Sequence, residues 1–224
     1  MSSIFSASIG KKLIMSISGL FLIVFLLVHL GLNLLLIVGP DAFNAGAHFM
    51  ATNPAIKIIE PVLALGFIIH ILYASILTLQ NQKARPVNYD TVNQSKSSTW
   101  ASRNMYILGG LVLIFLVIHI INFYWKIKVL GGHELSSTTI DGVEMHDTYL
   151  LVAGLFKQWW FDAIYVVGSI FLGLHLSHSF WSAFQTLGLS NIIWRKRLEV
   201  AGKIYTYLIA IGFSIIPLYF LITG

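Results

Sequence analysis

Residues 11–33 read KKLIMSISGLFLIVFLLVHLGLN, and this stretch decides the class of protein. After its two lysines it contains no Asp, Glu, Lys or Arg, and the apolar run continues to about residue 38. A helix that crosses the hydrocarbon core of a bilayer needs about 20 apolar residues. Because the run exceeds a signal-peptide core and no small-residue cleavage site follows it, we interpret it as a retained transmembrane helix.

The rest of the sequence repeats this pattern. The chain is 57% hydrophobic and 10% charged, whereas a soluble domain carries about 25% charged residues. We therefore predict an all-α membrane protein, a single domain over residues 1–224 with five transmembrane helices in a bundle. The spans are predicted at about 13–38, 56–79, 105–125, 162–187 and 204–222.

The absence of cysteine narrows the chemistry of the chain. It excludes disulfides, thiolate catalysis, Cys-ligated iron–sulfur clusters and covalently attached c-type haem. The net charge of +5 is concentrated in particular loops and does not indicate nucleic-acid binding. Histidine is then the obvious side chain left to bind a metal or a haem.

Loop charges predict the orientation of the spans. One side has ten basic residues: Lys11, Lys12, Lys83, Arg85, Lys96, Arg103, Arg195, Lys196, Arg197 and Lys203. The other side has four lysines and an acidic loop: Lys57, Lys126, Lys128, Lys157, Glu134, Asp141, Glu144 and Asp147. The positive-inside rule predicts a cytoplasmic N-terminus and a C-terminus outside. The outer loop 126–161 is expected to form a cap with little regular structure, apart from a short interfacial helix near 150–159.

Four histidines lie deep in four different spans, where ionisable side chains are costly and usually functional. His29 is 17 residues past Lys12 and His119 is 16 past Arg103. At about 1.5 Å per residue, both lie ~25 Å from the inner edge of the membrane.

The other two histidines lie nearer the inner edge. His70 precedes Lys83 by 13 residues, and His175 precedes Gly188 by the same number. Both depths are ~20 Å. The spacing thus predicts an outer pair, His29 with His119, and an inner pair, His70 with His175.

Two levels of paired imidazoles predict the axial ligands of two b-type haems. The alternatives are hydrogen-bonded helix contacts, or a proton or metal path through the membrane. Such a path usually includes intramembrane carboxylates, and here the candidates are Glu60 near the outer end of its span and Asp162 at the interface.

The remaining histidines have other predicted roles. His178 follows His175 by three residues on the same helix, so it is the alternative inner ligand or a contact to a haem propionate. The histidines of the outer loops are expected to be solvated: His48, His133 and His146.

Three segments carry a resemblance to a known family. They are the opening stretch, residues 60–74 (EPVLALGFIIHILYA) and residues 173–188 (GLHLSHSFWSAFQTLG). With five spans and histidines in the first four, they resemble the cytochrome b subunit of succinate dehydrogenase/fumarate reductase. The likeness is to its single-chain, diheme form, a membrane anchor, and covers nearly the whole chain.

The resemblance implies a place in a respiratory complex of the bacterial inner (cytoplasmic) membrane. It implies a flavoprotein subunit and an iron–sulfur subunit on the cytoplasmic side. Electrons from succinate would pass through the iron–sulfur clusters and the two haems to a quinone, commonly menaquinone; fumarate reductases run the flow backwards. Complexes of this family are often dimers.

Three further residues are candidates for supporting roles. In the family a polar residue at the position of Ser16 contacts a haem propionate, although Met15 departs from the polar residue of some relatives; Ser16 could equally be solvated. Arg103 could pair with a propionate or simply anchor the inner interface. Glu60 could exchange protons with a quinone or be an interfacial carboxylate stabilised by the nearby helix start.

Other function classes remain open on the sequence. A nitrate-reductase-like diheme cytochrome b would share the histidine pattern but use different soluble partners. A transporter that uses histidine side chains would bind no haem and would be colourless. A protein that acts only as a scaffold gives no reason for histidines at two depths of the membrane.

Overall fold

A computed structural model describes residues 8–84, 100–130, 135–189 and 191–223. Four residues assigned to loops above lie outside these ranges: Arg85, Lys96, His133 and Glu134. Within the ranges, five helices are long and apolar enough to cross a membrane. The predicted class, an all-α bundle with five candidate spans, is confirmed.

The elements follow one another along the chain in a mostly helical order. They are α1 Ser8–Val38, α2 Pro40–Thr52, α3 Pro54–Lys83, α4 Trp100–Arg103, α5 Met105–His119, a π-helical segment Ile120–Val129, β1 Ser137–Ile140, β2 Val143–His146, α6 Thr148–Phe156, α7 Trp159–Thr186 and α8 Ile192–Thr223. The five candidate spans are α1, α3, α5 with its π-helical segment, α7 and α8.

The spanning helices run past the apolar limits predicted from the sequence. The largest difference is at α8, which begins at Ile192 and not near residue 204. Basic residues predicted in loops lie on helices: Lys11 and Lys12 in α1, Lys83 in α3, Arg103 in α4, and Arg195, Lys196, Arg197 and Lys203 in α8. A fall in hydropathy marks the point where a helix leaves the hydrocarbon core of the membrane. The helix continues beyond that point because Lys, Arg, Glu and Leu have high helix propensity.

Small residues let the spanning helices pack closely. Helix α8 packs along α7, α1 packs on α3, α7 and α8, and α5 packs on α7. A Cβ added to Gly173 would lie 2.8 Å from the Ala210 Cβ, and one on Gly212 would lie 2.7 Å from Leu30. Such contacts need glycine, as is usual where membrane helices associate.

One end of the bundle carries a cap, defined here as α2, the β1–β2 hairpin and α6. The hairpin is antiparallel and pairs Ser137 with His146 and Ile140 with Val143. Its two-residue turn has positive φ at Asp141 (50°) and Gly142 (78°), as a type I′ turn requires. The short helix predicted near residues 150–159 is present as α6, whereas the hairpin corrects the prediction of little other regular structure in 126–161. Helix α2 was not predicted at all.

Asn44 of α2 joins the parts of the cap. It is 2% exposed, and its Nδ2 donates to Asp147 Oδ1 at 3.0 Å. Its Oδ1 accepts from the Thr148 hydroxyl at 3.0 Å and from the Tyr149 N–H at 2.8 Å. Asp147 in turn accepts from Leu150 N–H and so caps α6. The start of α6 is thereby fixed to α2.

Candidate functional site

Four histidines from four spanning helices meet as two pairs. The ring centres of His29 and His119 are 5.6 Å apart, with planes at 90°. Those of His70 and His175 are 6.4 Å apart, with planes at 80°. These are the pairs that depth alone predicted; their role as haem ligands stays a prediction.

Two glycines place the pairs at separate levels. A Cβ on Gly19 of α1 would lie 3.3 Å from the His70 ring, and one on Gly109 of α5 would lie 3.5 Å from the His175 ring. His29 and His119 each follow ten residues later on the same two helices. At 1.5 Å per residue the outer pair is therefore ~15 Å further along the bundle, so the ~5 Å between the predicted depths of the two pairs was too small.

The spacing within the inner pair suits two ligands on one metal. A metal–imidazole bond is about 2 Å long and a ring centre lies about 1.2 Å from its nitrogen, so two imidazoles on opposite sides of one metal have centres roughly 6.4 Å apart. The inner pair matches this distance, whereas the ring centres of the outer pair, at 5.6 Å, are closer than this arrangement requires. Within the described residues, no group of three or more His, Asp or Glu side chains could hold a metal ion, so neither histidine pair belongs to a larger cluster of this kind there.

The inner pair lies close to two glycines. Because Gly19 and Gly109 have no side chain, nothing from these two positions covers the nearby Cε1 and Nδ1 atoms of His70 and His175. The Nδ1 atom of His175 is buried and has no hydrogen-bond partner among the described residues. Buried polar atoms are rarely left unpaired. The residues therefore fit a group that binds imidazole nitrogen.

Ser18 is a serine that lies beside the inner pair, while the propionate contact proposed for Ser16 stays a prediction. Its hydroxyl lies 3.4 Å from His70 Nδ1 and 2.9 Å from the Met15 carbonyl. Ser16 is buried at 4% exposure two residues earlier on α1. Sequence reasoning missed Ser18, although its spacing from Met15 is one helical turn.

Aromatic side chains enclose the outer pair. Phe25 stacks on His29 with ring centres 5.2 Å apart. Around His119 lie Phe115, Phe123 and Tyr165, at 6.2, 5.3 and 6.1 Å. His119 also ends α5, where the helix changes to π-helical geometry. π-Helical geometry is rare, and single π-helical turns within α-helices are frequent at functional sites.

On α7, His175 is the histidine whose ring pairs with that of His70; which of His175 and His178 binds a haem stays a prediction. His175 contacts His70, whereas no ring contact within the described ranges involves His178. His178 is half-buried one turn nearer the end of α7.

Arg103 is the last residue of the short helix α4 and is exposed at the basic end of the bundle.

Glu60 lies on α3 at the cap end and forms an ion pair. Its Oε2 is 3.1 Å from Lys128 Nζ, and the two side chains are 27% and 31% exposed. Glu60 is therefore held by Lys128 of the π-helical segment, a connection that the sequence did not reveal.

Asp162 was predicted at the interface but is buried. It is 1% exposed, and neither carboxylate oxygen has a hydrogen-bond partner in the described part of the chain. The hydroxyl of Tyr165, one turn further along α7, is likewise buried without a partner there.

The prediction that His48 and His146 lie in loops is wrong, because His48 belongs to α2 and His146 to β2.

Comparison with protein-family models, curated proteins and solved structures found no match to this chain.

Proposed function

We propose that this chain is the membrane anchor and diheme electron-transfer subunit of a succinate:quinone oxidoreductase. The observation that carries the proposal is the meeting of four histidines from four spanning helices as two pairs at two levels. The resemblance of the histidine-bearing segments supports the choice of family.

In this proposal His70 and His175 hold the inner haem, and His29 and His119 hold the outer one. Bound haem supplies a one-electron iron couple whose potential depends on burial and hydrogen bonding. The chain orients the imidazoles, with Ser18 beside His70 Nδ1. The aromatic residues around His29 and His119 keep water from the outer pair.

The proposed orientation puts the basic end of the bundle, with the N-terminus, in the cytoplasm, and the C-terminus outside. The flavoprotein and iron–sulfur subunits bind at the basic end, where succinate chemistry takes place on the flavoprotein. Electrons cross the bundle from the inner to the outer pair and reach a quinone, for which we propose menaquinone. The membrane is the bacterial inner membrane.

Purification tests this proposal directly. Affinity-purified protein is expected to show reduced b-type absorption bands and to release about two haems per chain on extraction. A subunit with covalent flavin and an iron–sulfur subunit should co-purify with it. A colourless protein would rule the proposal out, and two haems with a molybdenum-containing partner would support a nitrate-reductase-like complex.

The proposed proton-exchange role of Glu60 has its own test. Glu60→Gln and Lys128→Gln break the same ion pair, and a partly exposed pair contributes at most about 1 kcal/mol to stability. Only Glu60→Gln removes a group that can exchange protons, a function that contributes about 10²–10⁴-fold to rates. We expect the rate of quinone reduction by the complex to fall at least 100-fold in Glu60→Gln and less than threefold in Lys128→Gln. Equal rates in the two variants would contradict the role.

A further inference from the structure

A shallow groove of about 410 Å³ lies on the exposed face of α8, at the basic end of the bundle. The residues that line it are all exposed. They are Lys196, Arg197, Val200, Ala201 and Ile204. The groove therefore joins two cations to a floor of three apolar side chains.

The apolar floor continues along α8 as a stripe of large side chains. The stripe is Tyr207, Leu208, Ile211, Ile215, Leu218 and Ile222, each at least 40% exposed. They follow Ile204 at intervals of three or four residues, which place them on one face of the helix. Helices in membranes associate through small residues, so a face of large side chains suits the acyl chain of a lipid better than a second helix.

The rise of the helix places the two cations at the level of lipid headgroups. Ile204 begins the apolar run of α8, and Arg197 precedes it by seven residues, or ~10 Å. The headgroup layer extends roughly 5–8 Å beyond the hydrocarbon core, and the flexible stems of Lys and Arg let their charges reach that layer. A phosphate there would meet Lys196 and Arg197, and its acyl chains would meet the stripe.

Both cations are available to an anion. Neither Lys196 nor Arg197 forms an ion pair with a carboxylate in the described part of the chain, since the nearby Glu199 is paired with Arg195 at 3.0 Å. The Arg197 guanidinium lies over the Trp194 ring, 5.5 Å from its centre. A guanidinium stacked on a ring can still donate from its edge to two oxygens of a phosphate.

We propose that this groove binds an anionic phospholipid, with its phosphate against Lys196 and Arg197 and an acyl chain along the stripe. Basic pockets on the cytoplasmic side of membrane proteins bind such headgroups. A neutral lipid would leave both cations without a counter-charge, and a free phosphate would leave the stripe uncovered. The inference goes beyond the proposed electron transfer and does not require the haems.

The test variant is Lys196→Gln/Arg197→Gln, which removes both cations and keeps the apolar floor. Both side chains are exposed, so the fold should be retained. Each cation near an anionic leaflet strengthens binding about fivefold. The two together therefore predict a roughly 25-fold preference for anionic over neutral lipid.

The matched control is Lys11→Gln/Lys12→Gln on α1. It changes the net charge by the same amount at the same end of the bundle, and neither lysine lines the groove. The Ile23 carbonyl accepts from the Tyr205 hydroxyl, 11 residues past Lys12 and nine past Lys196. The two pairs of cations therefore lie at similar depths, and a difference between the variants reports on the groove.

The measurement is photolabelling of the full purified complex in phosphatidylcholine nanodiscs. These contain a trace of lipid with a diazirine in its acyl chain, either phosphatidylglycerol or phosphatidylcholine. We expect phosphatidylglycerol to label residues 204–215 roughly 25-fold more than the neutral probe does. The two probes should label Lys196→Gln/Arg197→Gln almost equally, and Lys11→Gln/Lys12→Gln should keep the preference.

Three results would overturn the inference. They are equal labelling of the unmodified protein by the two probes, a preference that survives in Lys196→Gln/Arg197→Gln, and a loss of the same size in Lys11→Gln/Lys12→Gln, which would show general attraction to the basic end. If the groove variant cannot be purified, Arg197→Gln decides: the preference should fall about fivefold, and no fall would overturn the inference. Haem content of the same samples tests the proposed function separately.

Discussion

Replacing His175 with alanine is expected to halve the haem content, from about two haems per chain to about one. His175 is the partner of His70 across a ring-centre distance of 6.4 Å, and no third His, Asp or Glu side chain joins them to form a metal-binding group in the described residues. An iron held by two imidazoles loses half of its protein ligands when either histidine is replaced. The measurement is haem extraction together with the reduced-minus-oxidised spectrum, in which the bands of one haem should disappear.

His178→Ala is the matched control, three residues away on the same helix. It removes an imidazole of the same size from the same region of α7 but, in the proposed arrangement, leaves both haems bound. The reverse pattern, with His178→Ala losing a haem and His175→Ala retaining two, would show that the inner ligand is His178. His119→Ala should remove the other haem, so the double variant His119→Ala/His175→Ala should bind none.

The sequence predicted the spans because each is a long apolar run, and hydrocarbon thickness sets a simple length criterion. Helix ends were less predictable, since Lys196 and Arg197 continue α8 outside the apolar run. Helix α2 was missed because its sequence PDAFNAGAHFMAT is too short and mixed to span a membrane. Its N-terminal Pro40 is nevertheless a helix-start signal that could have indicated it.

The histidine pairs were predictable because rise per residue converts sequence spacing into depth once each helix has a direction. Contacts between segments that are far apart in the sequence were not predictable. The Lys128–Glu60 ion pair joins residues 68 positions apart, and the stacking of Phe156 on Phe220 joins α6 to α8. Neither residue type nor spacing marks such partners, because they depend on how the helices rotate and on the path of the cap.

Asn44→Ala is expected to loosen the cap, with the largest effect on stability of any single polar substitution considered. It deletes three hydrogen bonds, to Asp147, Thr148 and the Tyr149 N–H. Thr148 is 5% exposed, so its hydroxyl is left buried without this partner. Each buried group left unsatisfied costs about 1–3 kcal/mol, and we expect a loss of about 3 kcal/mol in the stability of the cap.

Hydrogen–deuterium exchange measures this change locally, because amides report the free energy of the opening that exposes them. A loss of about 3 kcal/mol corresponds to opening that is roughly 100-fold more frequent. Amides of β2 and α6 should therefore exchange about that much faster, while those of α7 stay protected.

Thr52→Ala is the control on the same helix as Asn44. It removes an exposed hydrogen bond to the His48 carbonyl and should change stability by less than about 0.5 kcal/mol. Unchanged exchange in α6 would mean that the core contacts of Phe156 alone hold this helix in place.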